Sequence, residues 1–76
     1  MPMLVNVKLY ASFRTDRFAM ESRHYPSETT IRDVVHELSL QEDELGTILV
    51  NSRRAGLHAH LADGDTLALF PVLSGG

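Results

Sequence analysis

The residues best placed to take part in chemistry close the chain. The sequence ends Ser74-Gly75-Gly76, so two of its five glycines are the last two of 76 residues. A terminal carboxylate has a pKa of roughly 3.3–3.7 and is ionised at neutral pH. It becomes an electrophile only when one of its oxygens is converted into a leaving group. Glycines ahead of it have no Cβ to clash inside a narrow site and accept φ angles closed to other residues. A terminal run of this kind is expected to be flexible.

Other candidates point to less. In Asp63-Gly64-Asp65, Gly64 suits an unusual φ and the carboxylates suit local backbone hydrogen bonds. That favours a sharp turn over a metal or catalytic pair. His58 and His60 are two residues apart, would face one side of a strand, and could ligate a metal. No third ligand is evident, since His24 and His36 are distant in sequence, and no metal site is expected. Arg53-Arg54 could meet an acidic partner but reads as an ordinary exposed turn. Glu42-Asp43-Glu44 reads as a solvated turn or a single helical turn.

The chain has no cysteine. That excludes a disulfide staple, a thiolate nucleophile, Cys-ligated zinc and an iron–sulfur cluster. No nucleophile–base set or phosphate-binding glycine loop is present, so an enzyme in its own right is the least favoured class. Seven Lys and Arg oppose ten Asp and Glu for a formal charge of −3, which lacks the basic footprint of a nucleic-acid module. No apolar run approaches the ~20 residues needed to span a bilayer. No basic segment precedes a long apolar one at the start, so a cytoplasmic location is expected.

The elements that must position the chain end can be read from periodicity. Met3 to Ala11 alternates, with Val5, Val7 and Leu9 on one face and Asn6, Lys8 and Tyr10 on the other, as in a half-buried strand. Arg17 to Arg23 is a second candidate strand, with Phe18 and Met20 on one face and a hairpin to the first. Thr30 to about Ser39 reads as a helix. Ile31, Val34, Val35 and Leu38 form its apolar stripe, and Thr30 with Asp33 approximates a capping box. His36 falls opposite the stripe, and Leu40 falls off it. Thr47 to Asn51 is a compact strand, and Asn51 to Gly56 a turn leading into a short one. Thr66 to about Val72 is the last strand, where Leu67 and Leu69 alternate with Ala68 and Phe70. The order predicts one α+β domain, a small mixed sheet of four to five strands with one main helix.

The run Leu61-Ala62-Asp63-Gly64-Asp65-Thr66-Leu67-Ala68-Leu69-Phe70-Pro71-Val72-Leu73-Ser74-Gly75-Gly76 resembles the MoaD/ThiS family of ubiquitin-like sulfur carriers. The shared pattern is a Leu, a D-G-D turn, an alternating strand, a Phe-Pro step and a terminal Gly-Gly. The first strand and the helix fit it in order, whereas Phe13 to Ser27 and Ser52 to His60 carry no matching motif. The resemblance implies a β-grasp fold over residues 1–73, with the first and last strands parallel and adjacent at the sheet centre, and a tail of residues 74–76.

The resemblance also implies a role. An E1-like enzyme would use ATP to adenylate the Gly76 carboxylate, and a persulfide sulfur donor would convert it to a thiocarboxylate. The carrier would then deliver that sulfur to an acceptor synthase, such as a molybdopterin synthase large subunit or a thiazole synthase. Gly76 would carry the reacting carbon and Gly75 the slim approach, and the chain itself would hold no cofactor. Phe70 and Pro71 match the docking step of MoaD-like carriers, with Leu73 and Ser74 as further docking candidates. Phe70-Pro71 favours the molybdopterin branch. Thiamin, tRNA-thiolation and cysteine-forming pathways stay open. So do a modifier conjugated through Gly76 and a β-grasp binding subunit with no chemistry at its tail.

Overall fold

The computed structural model describes residues 2–73. Five strands form one sheet: β1 (Met3–Leu9), β2 (Met20–Tyr25), β3 (Leu45–Val50), β4 (Arg53–Arg54) and β5 (Thr66–Pro71). A single helix, α1 (Ile31–Glu37), lies between β2 and β3 in the chain. The sheet order is β2-β1-β5-β3-β4, with β1 and β5 parallel and the other pairings antiparallel. The last strand is therefore the central one. This is the ubiquitin-like β-grasp architecture, and the five-stranded mixed sheet agrees with the sequence expectation.

Period-two alternation sets which face is covered. Val5, Val7 and Leu9 of β1 and Leu67 and Leu69 of β5 are wholly buried, as are Ile31, Val34 and Val35 of the helix stripe. Burying each such side chain is worth roughly 1.5–3 kcal/mol, so these eight positions bind helix to sheet.

The helix is short, and its ends are held by side chains and by distant backbone. Thr30 Oγ1 accepts from the Asp33 N–H, and Asp33 Oδ2 accepts from the Thr30 N–H, completing the capping box. The Ile31 and Arg32 N–H groups donate to the carbonyls of Ala59 and Leu57. The segment that carried no sequence motif thus satisfies the helix N–H groups that no helical turn can reach. Beyond β4 it holds only one bridge, between Thr30 and His60, so His58 and His60 do not share the face of a strand, as their spacing had allowed.

At the other end, Ser39 adopts φ 59°. The Ser39 and Leu40 N–H groups donate back to His36 and Val35. This is a Schellman closure with serine where glycine is usual. It folds Leu40, which lies off the helix stripe and past the helix end, into the core, at 5 % exposure. The Arg17 guanidinium donates to the Leu38 and Ser39 carbonyls.

The β1–β2 connection also departs from expectation. Ala11–Arg14 forms a 3₁₀ turn that buries Phe13. Asp16 takes φ 57°, and β2 starts only at Met20. Phe18 lies before the strand and packs on the core, whereas Met20 is 59 % exposed. The two do not share a strand face, because Arg17, Phe18 and Ala19 precede β2 and only Met20 lies in it.

Candidate functional site

Everything that holds β5 in place also sets where the chain end leaves the domain. Its start is clasped by the D-G-D turn. Gly64 has φ 87°, the left-handed region that favours glycine. Asp63 Oδ1 accepts from the Leu4 N–H at 2.7 Å, and Asp65 Oδ2 accepts from the Ala62 N–H at 2.8 Å. Asn51 Nδ2 donates to Asp65 Oδ1, while Asn51 Oδ1 accepts from the Thr66 N–H. The two carboxylates are thus engaged in backbone and amide hydrogen bonds, as the turn reading expects. The clasp ties the start of β5 to the start of β1 and to the β3–β4 turn.

The far end is set by a close backbone approach. A Cβ on Gly46 would lie 2.8 Å from the Pro71 carbonyl oxygen and 2.9 Å from the Val72 nitrogen. The β3–β5 register shifts at this point, between Leu45 and Thr47. The Val72 N–H donates to the Glu44 carbonyl at 2.8 Å. Gly46 was not singled out by sequence reasoning, although a lone glycine inside a strand pattern is the ordinary sign of a bulge or close approach. Pro71, which has no N–H to donate, closes the strand opposite Leu45.

Phe70 points away from the helix, on the face that carries Lys8, Leu49 and Ala68. It is half-buried, because its ring stacks on Tyr10 with centroids 4.1 Å apart and planes 11° from parallel. The Arg14 guanidinium lies 5.5 Å from the Tyr10 centroid. The expected outward placement of Phe70 therefore holds, and Tyr10 is an addition that strand alternation alone did not couple to it. Beyond Pro71, Val72 is 55 % and Leu73 84 % exposed. Tyr10, Gly46, Leu49, Phe70 and Leu73 line a shallow apolar groove beside this exit. Ser74, Gly75 and Gly76 lie outside the described residues.

Several other titratable groups are tied into contacts within the fold. Glu42 accepts from Arg32 and pairs with His36; the His36 contact first and Arg32 second hold its carboxyl below the usual range. His36 is thus exposed, as expected, and in contact with Glu42 as well. The Tyr25 hydroxyl donates to Glu37 and accepts from Arg23. Burial, reinforced by Glu37, pushes the Tyr25 phenol up to about 12. Among the described residues, no three His, Asp or Glu side chains approach closely enough to hold a metal ion. Among them too, no helix is long and apolar enough to cross a membrane.

A model of the ThiS family matches residues 7–76. Among solved structures, a putative molybdopterin converting factor subunit 1 from Pyrococcus furiosus is similar at 25 % identity. That match has a TM-score of 0.77 and covers 93 % of this chain and 99 % of the other. The small archaeal modifier protein 1 of Haloferax volcanii is similar at 22 % identity and TM-score 0.77, over 93 % and 99 % of the two chains. A complex of subunits 1 and 2 of a molybdopterin-converting factor from Helicobacter pylori also matches. Its identity is 21 % and its TM-score 0.59, over 97 % and 100 % of the two chains. No curated protein matches the chain by sequence.

Proposed function

The chain belongs to the ThiS family, and from that premise we propose that it is a sulfur carrier whose working group is the Gly76 carboxylate. It acts as the substrate of a partner rather than as an enzyme. An E1-like enzyme joins the carboxylate to the adenylyl group of ATP, releasing pyrophosphate. The outer sulfur of a persulfide donor then displaces AMP to form an acyl disulfide, a second thiol cleaves its S–S bond and is itself left in a disulfide, and an acceptor synthase consumes the thiocarboxylate so released.

The observation that best supports this reading is the exit geometry. The final strand is the central one, held at both ends, and it leads through Phe70, Pro71, Val72 and Leu73 towards Gly75-Gly76. A rigid body ahead of slim residues lets docking of the body offset the ordering cost of the tail. Phe70, Pro71, Leu73 and Ser74 are proposed to meet the partner, and the molybdopterin branch is favoured by Phe70-Pro71 and by the Pyrococcus likeness. Pyrophosphate–ATP exchange tests the first step. The full chain should support exchange by an E1-like enzyme, and deletion of Gly75-Gly76 should abolish it with the melting temperature unchanged. Exchange that persists after the deletion contradicts the proposal.

The likeness to an archaeal modifier favours a second reading, conjugation through Gly76. Lys8 is the chain's one lysine, so polymers linked through its own lysines would have a single side-chain acceptor. Tail-dependent, reductant-resistant adducts on immunoblots support this reading, and their absence removes it.

A further inference from the structure

We propose that the free edge of β2 pairs with the same edge of a second copy of this chain, joining two sheets into one about a two-fold axis at Ser22. The proposal does not depend on the carrier reading. β2 ends the sheet, and among the described residues no strand pairs with its outer side. Which of its backbone groups face outward follows from β1. The Asn6 and Tyr10 N–H groups donate to the Asp65 and Leu69 carbonyls on the β5 side, whereas the Leu9 N–H donates to the Ala19 carbonyl on the β2 side. Even-numbered positions here serve β5, and odd-numbered ones serve β2. By the antiparallel register, Glu21, Arg23 and Tyr25 bond towards β1, and the N–H and C=O groups of Met20, Ser22 and His24 point out of the sheet. A row of unpaired groups of this kind is a template for another strand. Met20, Ser22 and His24 are also exposed.

The residues of the edge select its occupant. Two copies related by an axis at Ser22 set Ser22 against its counterpart and Met20 against His24, so every outward-facing residue meets an outward-facing one. The intervening positions set Glu21 of each copy against Arg23 of the other, and opposite charges directly across an antiparallel pair are favourable. Within one chain the same two side chains already meet at 2.5 Å on the helix side, so the dimer extends that pair into a ladder of alternating charge. No other register does this. An axis at Glu21 or at Arg23 opposes like charges, and one at Met20 or His24 leaves much of the strand unpaired. An axis between two residues sets outward-facing groups against inward-facing ones. The opposite edge of the sheet is blunted by contrast: β4 is only Arg53–Arg54, and self-pairing there opposes arginines. The axis at Ser22 stands perpendicular to the sheet. Both helices therefore share one side, and the two β5 exits lie at opposite ends, clear of the contact. Such an interface is isologous and closes at two copies.

Sedimentation equilibrium of the full chain tests this, with circular dichroism to show that each variant is folded. Wild type should pass from monomer towards dimer as its concentration rises to about 1 mM, the weak regime of so small a contact. Ser22→Pro removes an N–H that makes no bond within the sheet, at an edge where proline is tolerated. It should weaken association roughly tenfold or more by blocking the centre of the new ladder. Glu21→Arg and Arg23→Glu each oppose like charges and should weaken it alone, whereas an equimolar mixture of the two should associate, because each chain then meets its complement. Arg53→Glu, at the other edge, should leave association unchanged. A wild type that stays monomeric over the whole range overturns the proposal. So does a folded Ser22→Pro chain that associates as tightly as wild type, or a mixture of the two folded charge variants that stays monomeric. Weakening by Arg53→Glu alone moves the contact to β4 and overturns it too.

Discussion

The two faces of the sheet share the same strands but obey different constraints. On the helix side, Val5, Val7, Leu9, Leu67 and Leu69 have no exposed surface. Each is fixed by packing, and a one-residue slip of either strand would expose the whole set. On the open side, the same strands place Lys8, Tyr10, Ala68 and Phe70, which the core does not require to be what they are. One face thus explains why the chain folds. The other is free to be shaped by what the chain must meet, and the central position of β5 joins the two.

The contrast breaks first on the covered side. Leu69→Ala should cost about 2–5 kcal/mol through lost contacts and a cavity, a large share of the ~5–15 kcal/mol that holds a typical domain. Urea unfolding measures this directly. Gly46→Ala should cost about 1–3 kcal/mol, because the new methyl meets backbone that cannot swing aside. It should also slow thiocarboxylation by displacing the exit at Val72. A variant as stable and as active as wild type would contradict the close-approach reading.

Phe70→Ala sharpens the comparison. Losing the Tyr10 stack should cost about 0.5–1.5 kcal/mol, while the Km for the activating enzyme rises far more than that stability change would suggest. Thr30→Ala does the reverse. It should cost about 1 kcal/mol, seen as a lower melting temperature, with the same activation kinetics as wild type.

The smallest effect is a pH dependence confined to the covered side. The Tyr25 phenol is pushed from 10.0 up to about 12 by burial and by Glu37. Below pH 10 both folded and unfolded chains keep the proton, and the contribution is fully present. As pH rises towards 12, the unfolded chain releases its proton first, so stability falls. Tyr25→Phe should flatten that alkaline slope in denaturation midpoints recorded across the same range.

How far each face could be read in advance follows from the same distinction. Burial imposes periodicity, so the β1 and β5 alternation, the helix stripe and the Thr30–Asp33 box were all legible as residue patterns. The features not read in advance fell where backbone shape outweighs side-chain pattern. Ser39 closes the helix in a conformation normally given to glycine and carries Leu40 inward. The Ala11–Arg14 turn buries Phe13, and β2 starts only at Met20. The Leu57 and Ala59 carbonyls cap the helix through backbone alone, which leaves no signature in residue type. At the site, Phe70 and the D-G-D clasp were visible, whereas Gly46 and the Tyr10 stack depend on register between strands distant in the chain.

The most direct measurement is the intact mass of the chain after incubation with an E1-like enzyme, ATP, a persulfide donor and a thiol reductant. The account predicts a gain equal to the difference between sulfur and oxygen, located at Gly76 by fragmentation and absent without ATP. An unchanged mass with enzymes shown to bind the chain would contradict it.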